Sequence, residues 1–297
     1  MQKVYISDSG PKVSPAIYGF WRWQTPSDNE VKKMERIIDI CLEQGINTFD
    51  HADIYGNGLT EEVFGKVINA RSIKREDIVL FSRCGLLVPG SGNADVRVRH
   101  INTSSNHIVK SVNNSLKKLQ TDSLDILFLD HLDPLSNLEE TALTLTQLKE
   151  SGKVKSIGIA NFSVFQHQLL ASYLRIPIVT NQTELSLLNT TALDNGQIDY
   201  IKQKYMRPLA SAPLDGGRIA NGTDKLAVSV RNKLNELTAK YGADIESIAV
   251  AWLIKLGALP LIGTTNEQRI KNIVKAFELQ LDHQDWYDLY ASSKITG

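Results

Sequence analysis

A carboxylate and a phenol stand five residues apart in the segment Asp50-His51-Ala52-Asp53-Ile54-Tyr55-Gly56. The segment follows a short apolar, β-prone stretch, Ile46-Asn47-Thr48-Phe49. Asp50 therefore falls at the end of a predicted strand and Tyr55 in the loop beyond it. A phenol ordinarily titrates near ~10, and a neighbouring carboxylate alone pushes that value higher. Acid chemistry from Tyr55 thus requires a cation beside the pair. Other predicted strand ends carry Arg83, Asp130 and His131, the remaining groups that could take part.

Such groups act together only if the elements around them bring strand ends to one place. Strand-like runs at 16–19, 48–50, 78–82, 125–129, 156–160, 177–181, 207–210 and 259–262 alternate with helical stretches. Ile108, Val112, Leu116 and Leu119 recur at helical spacing, as do Leu138, Ala142, Leu145 and Leu148 before the stop at Ser151-Gly152. Stretches 226–241 and 245–256 read as helices, the second apolar on most sides and therefore buried. Eight strand–helix units in about 280 residues predict a (β/α)8 TIM barrel. No linker or composition shift divides residues 1–297, so one domain is expected. Residues 2–13 read as a β-hairpin around Ser9-Gly10-Pro11 that covers the barrel bottom. The competing doubly wound sheet usually carries a G-x-G-x-x-G turn, which this sequence lacks. In barrels the C-terminal strand ends hold the site, and the longest loop following one, 85–104, is a candidate pocket wall.

Composition narrows the function. Thirty-three basic residues balance 33 acidic ones, which leaves no electrostatic footprint for nucleic acid or an anionic membrane. No run of apolar residues is long enough for a membrane span. Met1-Gln2-Lys3-Val4-Tyr5 lacks the apolar core of a signal peptide. The two cysteines, Cys41 and Cys84, make neither a disulfide framework nor a metal set. A reduced, cytoplasmic protein is expected. His51, His100, His107, His167 and His283 have no metal-ligand spacing, and no metal is expected.

Further motifs follow in order: Ser151-Gly152-Lys153-Val154, Gly158-Ile159-Ala160-Asn161-Phe162, Asn181-Gln182 and Asp215-Gly216-Gly217-Arg218. With Asp50-His51-Ala52-Asp53-Ile54-Tyr55-Gly56, they make the chain resemble, over its whole length, the bacterial oxidoreductase branch of the aldo-keto reductases. The resemblance implies a barrel that binds NADPH in an extended pose and reduces a small carbonyl substrate. It also implies four cooperating residues. A Tyr donates the proton, a Lys lowers its pKa, an Asp holds the Lys, and a His orients the carbonyl.

Asp50 and Tyr55 match their positions. Arg83 stands where the family has Lys, and Asp130 where it has His. His131 is adjacent, but strand alternation predicts that it faces away from Asp130, unless a slip or bulge lets it substitute. Arg83 and Asp130 together could form an ion pair that fills the substrate position.

On the cofactor side, the resemblance nominates Gly19, Asn161, Gln182, Ser211, Leu214, Gly216, Arg218, Gly263, Thr264 and Arg269. Ala160 and Ser211 depart from the family's Ser and stacking aromatic, and Gly263-Thr264 from its Lys-Ser. Arg269 is kept, and an arginine able to grip a phosphate bidentately favours NADPH over NADH. Trp21 and Trp23 are expected to line the substrate pocket. Two functions follow: a slow NADPH-dependent carbonyl reductase with a degenerate catalytic set, or a weakly active or non-catalytic barrel with a nucleotide- or metabolite-binding or structural role.

Overall fold

The computed structural model describes residues 1–23, 27–91 and 95–294. A hairpin of β1 (Val4–Tyr5) and β2 (Lys12–Val13) opens the chain. Its turn needs glycine, because a β-carbon at Gly10 would stand 2.4 Å from Ile6 Cγ2 and 3.2 Å from Val179 Cβ. Val179 begins a barrel strand, so the hairpin lies against the bottom of the barrel, as expected.

The barrel strands are β3 (Ile17–Gly19), β4 (Thr48–Asp50), β5 (Val79–Cys84), β8 (Ile126–Asp130), β9 (Ile157–Ala160), β10 (Ile178–Glu184), β11 (Leu209–Ser211) and β12 (Leu259–Ile262). They close in the order β3-β4-β5-β8-β9-β10-β11-β12. Each run expected as a strand is one, within a few residues. The long loop after β5 holds a further antiparallel pair, β6 (Leu86–Leu87) with β7 (His100–Ile101).

The chain divides into two compact units, 1–181 and 182–297. In the first, helices α1 (Asp28–Glu43), α2 (Thr60–Ala70), α3 (Ser105–Leu119), α4 (Leu138–Glu150) and α5 (Val164–Tyr173) follow the strands. The side chains of Ser27, Ser104, Asn137 and Ser163 accept backbone N–H groups at the starts of α1, α3, α4 and α5, which fixes where those helices begin. Phe128 in β8 stacks edge-on to Phe81 in β5, with centroids 5.5 Å apart. Its neighbour in register is Gly158, where a β-carbon would lie 2.7 Å from the Phe128 ring. The motif glycine is thus room for a core phenylalanine.

The second unit carries α6 (Thr191–Asp194), α7 (Gln197–Gln203), α8 (Arg218–Asn221), α9 (Lys225–Tyr241), α10 (Ile245–Lys255), α11 (Glu267–Lys275) and α12 (His283–Ser292). Helix α10 is buried along most of its length, as its all-round apolarity predicts. Helix α12, not legible as a separate helix, stacks Trp286 on Trp252 of α10 with ring centroids 4.9 Å apart. Each indole N–H donates to the other residue's carbonyl, at 3.1 and 3.0 Å. Gln182, expected just past a strand, lies inside β10 and pairs in register with Leu209. Among the described residues no helix is long and apolar enough to cross a membrane.

Candidate active site

Strands β4, β5 and β8 end side by side, with Asp50, Arg83 and Asp130 at or next to their last positions. Asp50 is fully buried at the end of β4. Arg83 Nη2 donates to both its oxygens, at 2.7 and 2.6 Å. Tyr55 arrives through a tight loop. Its carbonyl accepts the Thr60 hydroxyl at 2.9 Å and the Gly58 N–H at 2.9 Å, and Gly56, Asn57 and Gly58 take positive φ. The Arg83 guanidinium carbon then lies 5.8 Å from the Tyr55 ring centroid. Arg83 therefore places a cation beside the phenol ring.

The electrostatics oppose Tyr55 as an acid. Burial pushes its pKa well above the ordinary phenol value. The Arg83 charge lowers it in part, and Asp50, Asp130 and Asp53 raise it again. Burial likewise raises Asp50, against the opposing pull of Arg83. Arg83 is held protonated: burial works against its charge, and Asp50, Tyr55 and Asp130 outweigh it.

Asp130 and His131 behave differently from expectation. Alternation ends at Asp130, because His131 leaves the strand with a left-handed φ of 65°. Its ring swings back instead of facing away, placing Nδ1 2.8 Å from Asp130 Oδ1. The two atoms are close without the alignment of a directed hydrogen bond. Asn161, also left-handed at φ 62°, donates its Nδ2 to the same Asp130 oxygen at 2.8 Å. Burial pushes the Asp130 carboxyl up, but the contacts with His131, Arg83 and Asn161 prevail and hold it below the usual range. Asp130 thus meets His131 and Asn161, while Arg83 donates to Asp50. The packing of β5 on β8 is close: a β-carbon at Gly85, φ 115°, would meet the Asp130 carbonyl at 3.0 Å.

Behind this pair lies a buried polar cluster that sequence reasoning missed. Ser111 of α3 donates to Asp53 Oδ2 at 2.6 Å, and the Asp53 N–H donates to the Arg83 carbonyl at 3.2 Å. Asp53 therefore ties the Tyr55 loop to both α3 and β5. Its carboxyl is pushed up to about 7, chiefly by burial, with Glu61 and Asp130 adding to the Ser111- and Lys118-opposed rise. Glu61 is almost fully buried, accepts the Ser82 hydroxyl at 2.6 Å, and is also raised by burial. Burial raises the Cys84 thiol too, so it is no reactive thiolate. The signal for the cluster was a second carboxylate, Asp53, inside the motif, with Glu61 following in the first turn of α2.

His51 packs between Phe20 and Phe64, stacked at 4.4 Å on the first and edge-on at 4.4 Å to the second. Both ring nitrogens are buried without partners, and burial draws its pKa down to about 3. It is a packed neutral ring. Gly19 ends β3, next to Asp50 in register. Trp23 is buried against Phe20 and donates Nε1 to the Tyr18 hydroxyl at 3.2 Å, so it serves the core. Trp21 is 42% exposed and remains available to a ligand.

The second unit presents the other nominated groups. Ser211 ends β11, and Leu214 is buried just beyond it. Gly216 and Gly217 take φ of 65° and 100°, which lead directly into α8 at Arg218. Arg218 Nη1 donates to Asp215 at 2.6 Å and Nε to Asp224 at 3.3 Å. Gly263 and Thr264 follow β12, and the Thr264 hydroxyl accepts the Asn266 N–H at 3.2 Å. Arg269 sits in the first turn of α11, where its fork meets Glu246 of α10: Nε to Oε2 at 2.8 Å and Nη2 to Oε1 at 2.5 Å. Both arginines nominated for phosphate already hold carboxylates. Among the described residues no group of three or more His, Cys, Asp or Glu is arranged to hold a metal ion.

Eight parallel strands close into a barrel, and at the ends of β4 and β5 the Asp50–Arg83 pair lies beside Tyr55. The aldo/keto reductase family model matches residues 16–294, and the chain belongs to that family. It is 35% identical to a 6-dehydroglucose reductase of Agrobacterium fabrum (strain C58), over 98% of this chain and 97% of that protein. It is 33% identical to the uncharacterized oxidoreductase YcsN of Bacillus subtilis (strain 168), over 98% of each chain. Oxidoreductase YdhF of Escherichia coli (strain K12) is 33% identical over 97% of this chain and 96% of its own. Among solved structures, a thermostable aldo-keto reductase, Tm1743, in complex with the inhibitor epalrestat, superposes with a TM-score of 0.85 at 22% identity. That match covers 98% of this chain and 100% of that one, and it speaks for the fold.

Proposed function

We propose that the chain is an NADPH-dependent oxidoreductase that reduces a small aldehyde or ketone, with Tyr55 as proton donor. The observation that carries this reading is the Arg83 guanidinium, bonded to Asp50 at 2.6 Å and 5.8 Å from the Tyr55 ring centroid. When bound, the nicotinamide supplies the hydride. Tyr55 holds its proton at working pH, because burial keeps its pKa high, and can pass it to the carbonyl oxygen. Arg83 stabilises the phenolate left behind, and Asp50 holds Arg83 in place. His131, 31% exposed and braced by Asp130, offers its second ring nitrogen to orient the carbonyl.

The nucleotide's chemistry fits the donor set. Arg218 and Arg269 lie at the starts of α8 and α11 with side chains 48% and 36% exposed, as groups that hold phosphates must be. Gly19, Asn161, Gln182, Ser211, Leu214, Gly216, Gly263 and Thr264 would hold its remainder. Asp50 consumes much of the Arg83 charge, and each pH unit by which Tyr55 stays too weak an acid forfeits about 1.4 kcal/mol. The enzyme is accordingly slow. A weakly active or non-catalytic nucleotide-binding role has one observation behind it: Asn161, the family's carboxamide ligand, spends its amide on Asp130.

The test is titration of the purified protein with NADPH and then NADH, followed by quenching of tryptophan emission. A carbonyl screen comes next, monitored by NADPH consumption and led by 6-dehydroglucose because a relative is named for it. Saturable binding with turnover of any carbonyl supports the reductase. Binding without turnover moves the conclusion to the non-catalytic role, and binding of neither nucleotide refutes both.

A further inference from the structure

We propose that Glu246 sets the coenzyme preference of this chain by occupying the fork of Arg269. The inference rests on the reading of Arg269 as the group facing the adenosine 2′-position. Both donors that a 2′-phosphate would take, Nε and Nη2, are engaged by the two oxygens of one carboxylate, at 2.8 and 2.5 Å. A fork–fork geometry of this kind is the one arginine uses for phosphate as well as for carboxylate, so the two anions compete for the same N–H pair.

The pair is built into the helix contact. Glu246 lies in the first turn of α10, capped by Asp244, and its side chain is only 14% exposed. Arg269 lies in the first turn of α11, where its own N–H is held by Asn266 at 3.0 Å. Ser247 donates to the Asn272 carbonyl at 2.9 Å, which locks the two helices together next to the pair. The helix contact therefore keeps Glu246 beside Arg269. A nucleotide with a 2′-phosphate must displace a part-buried carboxylate and then remain close to it, anion against anion. A nucleotide with a 2′-hydroxyl brings no second anion to the fork and meets no such competition. Glu246 thus lowers affinity for the phosphorylated coenzyme and leaves the other untouched.

The experiment compares wild type with Glu246→Gln, which keeps the shape and removes the charge, and Glu246→Asp, which shortens the reach and keeps the charge. Two ligand pairs differ only at the 2′-position: NADPH with NADH by tryptophan quenching, and 2′,5′-ADP with 5′-ADP by calorimetry. Glu246→Gln is expected to tighten NADPH and 2′,5′-ADP by roughly tenfold, about 1.4 kcal/mol, with NADH and 5′-ADP unchanged. Glu246→Asp falls between. An unchanged ratio within each pair, in proteins that bind nucleotide and retain wild-type circular dichroism, overturns the role of Glu246 and leaves the reductase reading standing. Absence of binding by all four ligands in every protein overturns the nucleotide reading itself, and this inference with it.

Discussion

Replacing Asp53 by asparagine should make the protein less sensitive to alkali. The Asp53 carboxyl is raised from 3.8 to about 7, first by burial. The folded chain therefore keeps a proton that the unfolded chain releases above 3.8. Stability from this group is complete below 3.8 and is lost as pH climbs through about 7. The interval is roughly three pH units, or about 4 kcal/mol at about 1.4 kcal/mol each. Solvent reaches part of the side chain, and halving for that screening leaves about 2 kcal/mol. Asparagine keeps an oxygen for the Ser111 hydroxyl and cannot ionise. In urea unfolding, the stability of Asp53→Asn relative to wild type should rise by about 1–2 kcal/mol from about pH 5 to about pH 9. Taking the difference between the two proteins cancels the other titrating groups. A difference that stays constant across that range would falsify the burial argument, because it would mean that Asp53 ionises as freely as in the unfolded chain.

Two further substitutions probe the same end of the barrel. Arg83→Lys with Asp130→His should raise carbonyl reduction at least about tenfold, a small part of the 10²–10⁴ that a positioned general acid contributes. No gain in steady-state rate, with nucleotide binding intact, would show that these positions do not limit catalysis. His51→Phe should blunt acid sensitivity. Burial lowers His51 from 6.5 to about 3, so its stabilising neutrality is present above 6.5 and lost as pH falls toward 3. Near pH 5 the variant should gain up to about 2 kcal/mol over wild type relative to their difference near pH 8. Equal urea midpoint shifts at both pH values would contradict this.

Much of the architecture could be read from the residues. Alternating strand and helix periods located all eight barrel strands, since each needs a compact β-prone apolar run. Ser9-Gly10-Pro11 marked the hairpin. The pair β6–β7 was not legible, because two-residue strands carry no period and join across a dozen residues. At the site, Asp50 and Arg83 could be placed because strand ends fix them, and Tyr55 because the motif sets it five residues beyond Asp50. His131 could not, since its position depends on a left-handed backbone that histidine adopts only rarely. Complementary charge with Arg83 is not the whole account of Asp130, because Asn161 and His131 also reach that carboxylate. Glu246 and Ser111 escaped notice for a different reason. They meet Arg269 and Asp53 from distant parts of the chain, and no spacing rule links them.

The stacked Trp252 and Trp286 give the protein a built-in optical standard. Of its four tryptophans, these two are fixed face to face, with planes 6° apart and indole N–H groups tied to backbone. Indoles held rigidly in this way give a near-ultraviolet dichroic signal that is lost when α10 and α12 unpack. Trp21, exposed directly after β3, contributes to emission from a different environment. Dichroism and emission can therefore be read from one sample as separate channels, one for the integrity of the helical layer and one for events near the strand ends.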